Sequence, residues 1–280
     1  MSEKILQSLE GVSETLLIPL YIRACESQRP DSLIKDDLAV AMVSQIEYDF
    51  SHLKLQRHDE VALIVRTNKF DSHVRDFLMR NPQAAVVHIG CGLDTRFERM
   101  DNGLVEWFDL DLPDVIALRQ KLIHNKCNRY HTLAASVLEE GWIKEVSGLK
   151  PRPFMFMAEG VLPYFEEAQV KALFLKLGEH FPGCELVCEA HTPFGNWANN
   201  LHLAHVKAQA RMHWSLKSGK EVESWGTPST SLRAGSIRLL DEWYYYDDEE
   251  SPLKAYRWLR LIPPIAKASG IFHYQLGVQS

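Results

Sequence analysis

No stretch of this chain approaches the roughly 20 consecutive apolar residues that a membrane-crossing helix needs, so no transmembrane segment is expected. The N-terminus, MSEKILQSLEGVSE, is charged and lacks the apolar centre of a secretion signal. An excess of positive charge is missing too. The balance of 31 basic and 37 acidic side chains gives a net charge of −6, the wrong sign for a general nucleic-acid binder, whose footprint is basic. There is no run of five like charges; the densest cluster, Asp247-Asp-Glu-Glu250, reads as a solvated acidic turn. Cysteine is sparse. Cys25, Cys91, Cys127, Cys184 and Cys188 form no Cys-x-x-Cys pair and no disulfide framework, a pattern that fits reduced thiols in a cytoplasmic protein. No internal repeat or low-complexity tract is present.

The 280 residues, 46% of them hydrophobic, suffice for one α/β domain with elaborations. Residues 1–83 read as a helical N-terminal cap. It contains the amphipathic stretches Leu38-Ala-Val-Ala-Met-Val43 and Val61-Ala-Leu-Ile-Val65, and a helix from Thr67 to Met79 that stops at Asn81-Pro82. The rhythm then changes to short apolar runs alternating with helices. Ala84-Ala-Val-Val-His-Ile-Gly90, Val105-Glu-Trp-Phe-Asp-Leu-Asp111, Tyr130–Ser136, Pro153-Phe-Met-Phe-Met-Ala158 and Glu185-Leu-Val-Cys-Glu-Ala190 read as buried strands. Helices are expected from Pro113 and from Glu166 to Phe181. Such alternation implies βαβ units, so residues 84–190 are expected to form a doubly wound, Rossmann-like parallel sheet. Residues 191–235 break the pattern and read as an insertion, either a lid over a ligand or surface decoration. Its Trp197, Trp214 and Trp225 suit an apolar pocket or plain packing. Residues 236–280 are expected to complete the sheet with strands at Ile237–Tyr246 and Ile271–Leu276 and a helix between them to about Ala268.

The chemistry concentrates at strand ends. Gly90-Cys-Gly92 ends the first strand, where missing Cβ atoms let a backbone turn sharply and a ligand come close. The third glycine of a dinucleotide fingerprint is absent, and Asp94 stands where a pyrophosphate would have to sit. A phosphate-free nucleoside cofactor meets no such repulsion. Asp111, 21 residues after Gly90, is spaced to accept hydrogen bonds from ribose hydroxyls, or else caps the next helix. Asp109 reads as structural. Glu159-Gly160 places a third acid at a strand's carboxyl end.

Val87-His-Ile-Gly-Cys-Gly-Leu-Asp-Thr-Arg96, Trp107-Phe-Asp-Leu-Asp-Leu-Pro113 and Ala158-Glu-Gly-Val-Leu-Pro-Tyr164 together resemble the leucine carboxyl methyltransferase family, most of all its bacterial branch of polyketide O-methyltransferases. The resemblance runs from Arg23 to Gly277. It implies a class I methyltransferase sheet and S-adenosylmethionine as cofactor. It implies that Arg66 pairs with the cofactor carboxylate, a task suited to a guanidinium fork, and that Arg23 supplies a basic N-terminal contact. It further implies that Gly90, Gly92 and Asp94 form the close-approach loop, Asp111 the ribose acid and Glu159 the acid after the fourth strand. Where the family often carries Asp-Leu against adenine, this chain has Ser136-Val137, which keeps a hydrogen-bonding group but leaves a non-catalytic relative open. A hydroxyl acceptor needs a base, and His191, just past the fifth strand, is the candidate; a carboxylate acceptor needs none. A small-molecule acceptor is expected, with no nucleic-acid or membrane partner. A protein C-terminal carboxylate is the close alternative, and a nicotinamide oxidoreductase the distant one.

Overall fold

The computed structural model describes residues 12–53, 55–149, 152–205, 210–226, 236–247 and 258–278. Three α-helices come first among the described residues: α1 (Val12–Ser27), α2 (Asp37–Gln45) and α3 (Arg57–Arg80). The last joins the two stretches expected around Val61 and Thr67 into one 24-residue helix. No breaker separates them, and Ile64, Val65, Phe70, Val74 and Phe77 are buried along its length.

The alternating region follows as β1 (Ala85–Ile89), α4 (Arg96–Met100), β2 (Glu106–Asp111), α5 (Pro113–Leu122), β3 (Tyr130–Ala134), α6 (Gly141–Ser147), β4 (Phe154–Ala158), α7 (Glu167–His180) and β5 (Glu185–His191). Pro113 opens α5, where its missing N–H costs nothing. A reciprocal cap between Glu166 and Gln169 starts α7. Then come α8 (Pro193–His205), β6 (Ser236–Tyr244), α9 (Pro263–Ala266) and β7 (Ser269–Val278). The helix expected to run to about Ala268 is described as a 3₁₀ turn at 258–261 and the four-residue α9; residues 248–257, with most of the acidic cluster, lie outside the described residues.

The seven strands form one sheet in the order β3-β2-β1-β4-β5-β7-β6. β1 to β5 are parallel, and β7 is antiparallel to both β5 and β6. Alternate side chains of the inner strands serve two layers. Val87, Ile89, Phe108, Leu110 and Phe156 pack against α6 and α7 through Trp142, Val146, Leu173 and Phe174. Val86, Trp107, Met155 and Met157 pack against Phe70, Val74 and Phe77 of α3. Each large apolar side chain so buried contributes about 1.5–3 kcal/mol. The winding reverses between β1 and β4, and in open parallel sheets that reversal opens a ligand crevice at the strands' carboxyl ends.

Candidate functional site

The loop after β1 is bent by its glycines. Gly90 sits at φ +65°, and a Cβ there would lie 2.1 Å from Val161 Cγ2. Gly92, at φ +51°, faces Leu16 of α1. Gly90 N donates to Leu110 O at 2.7 Å, tying the turn to β2.

Asp111 closes the same turn. Its Oδ2 accepts from Gly92 N and its Oδ1 from Leu112 N, both at 2.8 Å. Burial raises this carboxyl above its ordinary value, against the pull of the two amides. Each oxygen keeps a lone pair for another donor. Asp109, on the same side of β2, points into the interior. It accepts from Trp107 Nε1 at 2.8 Å and Tyr130 OH at 2.6 Å, and it pairs closely with Arg119. Arg119 Nη1 in turn donates to Gly92 O at 3.1 Å. Both polar groups of Gly92 are thereby fixed by β2 and α5.

Around the neighbouring strand ends lies a buried ion network joining α1, α3, α4, β4 and β5. Arg66 donates from Nε to Glu159 Oε1 at 2.9 Å and from Nη1 to Glu189 Oε2 at 3.0 Å. Arg96, fully enclosed, donates to Asp71 at 2.5 Å and to Glu159 Oε2 at 2.6 Å. Its Nη1 also lies 3.1 Å from Asp94 Oδ2, a pairing of charges without hydrogen-bond alignment. Arg99 bridges Asp71, Asp94 and Asp36. Arg23 joins from α1, donating to Asp36 at 2.9 Å and to Leu93 O at 2.8 Å. Burial raises the Asp94 carboxyl, but the guanidiniums of Arg96, Arg23 and Arg99 outweigh it and hold it well below the usual range. Glu159 shows the same contest: burial raises it, and Arg96 and Arg66 bring it down to about 2.

The structure therefore gathers Gly90, Gly92, Asp111, Arg66 and Glu159 along one sheet edge. It places Arg23 and Asp94 behind that edge, 2% and 8% exposed, facing each other's neighbours. Ser136 stands two residues past β3, half-buried, its Oγ accepting from Leu138 N at 3.3 Å. His191 ends β5. Its Nδ1 is 2.8 Å from Ser269 Oγ and its Nε2 is 4.0 Å from Glu189 Oε1. Burial lowers its pKa, with Glu189 acting in the opposite sense, so the imidazole is neutral near pH 7.

The insertion divides by residue. Trp214 and Trp225 are buried against Phe174 and are packing residues. Trp197 is 59% exposed and lies beside Phe194 on α8. Asn196 and Asn200 pin α8 to the 212–214 segment, which itself crosses Pro163 just after β4. Residues 206–209 and 227–235 of the insertion, and the side chains of His202 and His205, lie outside the described residues.

Sequence reasoning did not assign Glu189, Asp71, Asp36, Arg99 or Tyr245. Arg96 stood in the quoted motif without a role. Glu189 is hidden within an apolar run, and only its even spacing from His191 marks the pair as sharing one face.

The donor set suits a zwitterionic nucleoside free of phosphate. It offers one guanidinium, one carboxylate held ionised, one acid with open lone pairs and a bare glycine backbone. A pyrophosphate finds no matching cation at the glycine loop, where Arg96 and Arg99 are already taken by acids.

Comparison with known proteins agrees. Residues 17–178 match the sequence profile of the leucine carboxyl methyltransferases. The chain is 31% identical over 276 residues to the tetracenomycin polyketide synthesis O-methyltransferase TcmP of Streptomyces glaucescens, covering 95% of this chain and 97% of that one. It is 30% identical over 188 residues to the S-adenosyl-L-methionine-dependent methyltransferase dpfgK of Gibberella zeae, covering 62% of this chain and 63% of that one. Among solved structures, a DUF574 family protein from Streptomyces avermitilis superposes with a TM-score of 0.56 at 14% identity, over 91% of this chain and 96% of its own. A Thermobifida fusca protein does so with a TM-score of 0.57 at 14% identity, over 94% and 98%.

Proposed function

The chain belongs to the leucine carboxyl methyltransferase family, and from that premise we propose that it is an S-adenosylmethionine-dependent O-methyltransferase acting on a carboxylate or hydroxyl of a small molecule. The observation that carries the reading is the Asp111–Gly92 hydrogen bond at 2.8 Å, which locks the glycine turn to the acid positioned for a ribose. Arg66 offers its guanidinium to the cofactor carboxylate and Glu159, ionised above about pH 2, its charge to the ammonium. Asp111 takes the ribose hydroxyls and Ser136 the adenine amino group. Arg23 and Asp94 serve through Arg99 and Arg96, by fixing the network that holds Glu159.

When bound, the cofactor supplies the methyl group, on a sulfonium whose displacement runs in line. The chain's own share is orientation and exclusion of water. For a hydroxyl acceptor, His191 is neutral and able to accept a proton at Nε2 when Nδ1–H donates to Ser269 Oγ. Phe194 and Trp197, on the first turns of α8 beyond His191, offer an exposed aromatic face to the body of an acceptor. The substrate class of TcmP supports a small acceptor. The same reading divides the chain into a helical cap (1–83), a cofactor core (84–190), an insertion (191–235) and the sheet's closing part (236–280). Five free cysteines and a net charge of −6 suit a cytoplasmic enzyme without a nucleic-acid partner. Among the described residues, no helix is long and apolar enough to cross a membrane.

Calorimetric titration with S-adenosylmethionine tests this. The wild type is expected to bind saturably, and Asp111→Ala to lose at least about tenfold in affinity, the scale of a hydrogen-bonded charged acceptor. A folded wild-type protein that does not bind sinks the proposal.

A further inference from the structure

Glu189 belongs to no motif that pointed to the site, yet three elements converge on it. Its Oε2 accepts from Arg66 Nη1 at 3.0 Å and from Gly160 N at 3.0 Å. Its Oε1 accepts from Tyr245 OH in a very close contact. The residue is 2% exposed. Tyr245 comes from the turn after β6, at the far edge of the sheet, and is half-buried where it meets β5. Burial and the Glu189 charge hold its phenol well above the ordinary value, so it donates and does not ionise.

An arginine on a helix has several rotatable bonds, and fixing it costs entropy. Arg66 is fixed at two points: Glu159 takes Nε and Glu189 takes Nη1. Glu159 alone leaves the guanidinium free to swing about its Nε hydrogen bond. The second point sets the plane of the fork, and that plane decides whether a carboxylate can be gripped by two parallel hydrogen bonds. The amide of Gly160 is held by the same carboxylate, so the backbone beside Glu159 is set together with Arg66.

We propose that Glu189, itself held by Tyr245, is a positioning residue that orients Arg66 for the carboxylate of the cofactor's amino-acid arm. The inference rests on the reading of Arg66 given above. Two ligands separate this role from general support of the fold. S-adenosylhomocysteine has the amino-acid arm; 5′-methylthioadenosine keeps the nucleoside and lacks the arm. Glu189→Ala removes the second anchor and is expected to weaken S-adenosylhomocysteine about tenfold, the scale of a hydrogen bond to a charged group, with methylthioadenosine unchanged. Glu189→Gln retains an oxygen for Arg66 and Gly160, while the tyrosine hydroxyl can turn to accept from the new amide. It is expected to stay within about threefold of wild type, a few tenths of the cost of a lost charged partner. Tyr245→Phe carries the test if Glu189→Ala does not fold, with the same selectivity at about threefold, less than a direct hydrogen bond to a charged group because the loss reaches Arg66 through Glu189.

Equal weakening of both ligands by Glu189→Ala, no weakening of either, or a Glu189→Gln protein as poor as Glu189→Ala overturns the proposal. Arg66→Ala, titrated with the same pair, reports on the underlying reading separately. Loss confined to S-adenosylhomocysteine upholds Arg66 as the carboxylate's partner, and equal loss of both ligands, or none, removes that premise.

Discussion

Arg96 shows what a single side chain carries in this molecule. It is fully enclosed and faces Asp71, Asp94 and Glu159 at once. Removing one partner of a buried ion pair leaves an uncompensated charge and costs about 3–5 kcal/mol. Arg96→Met is therefore expected to lower the unfolding free energy by about that amount, seen as a shift of the urea midpoint. Arg96→Lys should recover little of it, because one ammonium cannot reach acids arranged around a planar fork. His73 illustrates a different buried group. Its Nε2 has no hydrogen-bond partner, and its pKa falls to about 3, first through burial and then through His273. In the unfolded chain it takes its proton near pH 6.5. Its contribution to stability is thus complete above about 6.5 and drains as the pH falls toward 3. Between pH 6 and pH 4, His73→Phe should flatten the stability profile by about 1 kcal/mol per pH unit. Denaturant melts at those two values measure it.

At the scale of elements, the turn after β1 is the most constrained piece of backbone near the site. Gly90→Ala meets two separate penalties, the positive φ and the contact with Val161. Together they are expected to cost about 1–3 kcal/mol, read in thermal unfolding, and to weaken S-adenosylmethionine binding. Adding Val161→Ala relieves only the contact, so recovery should be partial; full recovery would mean that the backbone conformation costs nothing. This turn was legible in the sequence, because a β-branched run ending at a glycine has few other structures. So were the seven described strands, since a strand is written in contiguous residues, whether buried like β1 and β4 or largely exposed like β6. α4 and α6 were missed: at five and seven residues they are too short to show a helical period. The lid reading of residues 191–235 was met by Trp214 and Trp225 packed in the core, which composition cannot tell from a pocket lining. The candidate site was legible where its residues end strands. Its support was not, for Glu189, Asp71 and Asp36 are ordinary acids until the fold brings them to arginines far away in sequence.

Across the whole molecule, His73, His88, Glu159 and Glu185 titrate in one sense, with the raised Asp111 and Glu98 carboxyls acting against them. His88, brought to about 4 by burial and then by Arg96, resists protonation as His73 does. Glu159 and Glu185, both near 2, resist it from the acid side. Burial raises Glu185, and His273 and Arg80 outweigh it. A carboxyl so depressed adds stability that is full above its unfolded value near 4.3 and is lost as the pH falls toward 2. The histidines give way first and the carboxylates after. Stability is expected to decline continuously from about pH 6.5 downward, and a flat profile from pH 7 to 4 by calorimetric unfolding would contradict the assignments. The ion network has another consequence, in the order of synthesis. Chains leave the ribosome N-terminus first, at about 5–20 residues per second. Arg66 emerges with α3, but Glu159 follows 93 residues later and Glu189 follows after 123, with Tyr245 later still. A nascent chain halted before β4 holds Arg66 with both of its counter-ions, Glu159 and Glu189, unmade. Arg66 thus waits for its second counter-ion through the synthesis of 123 residues, and the cofactor edge closes late in making the protein.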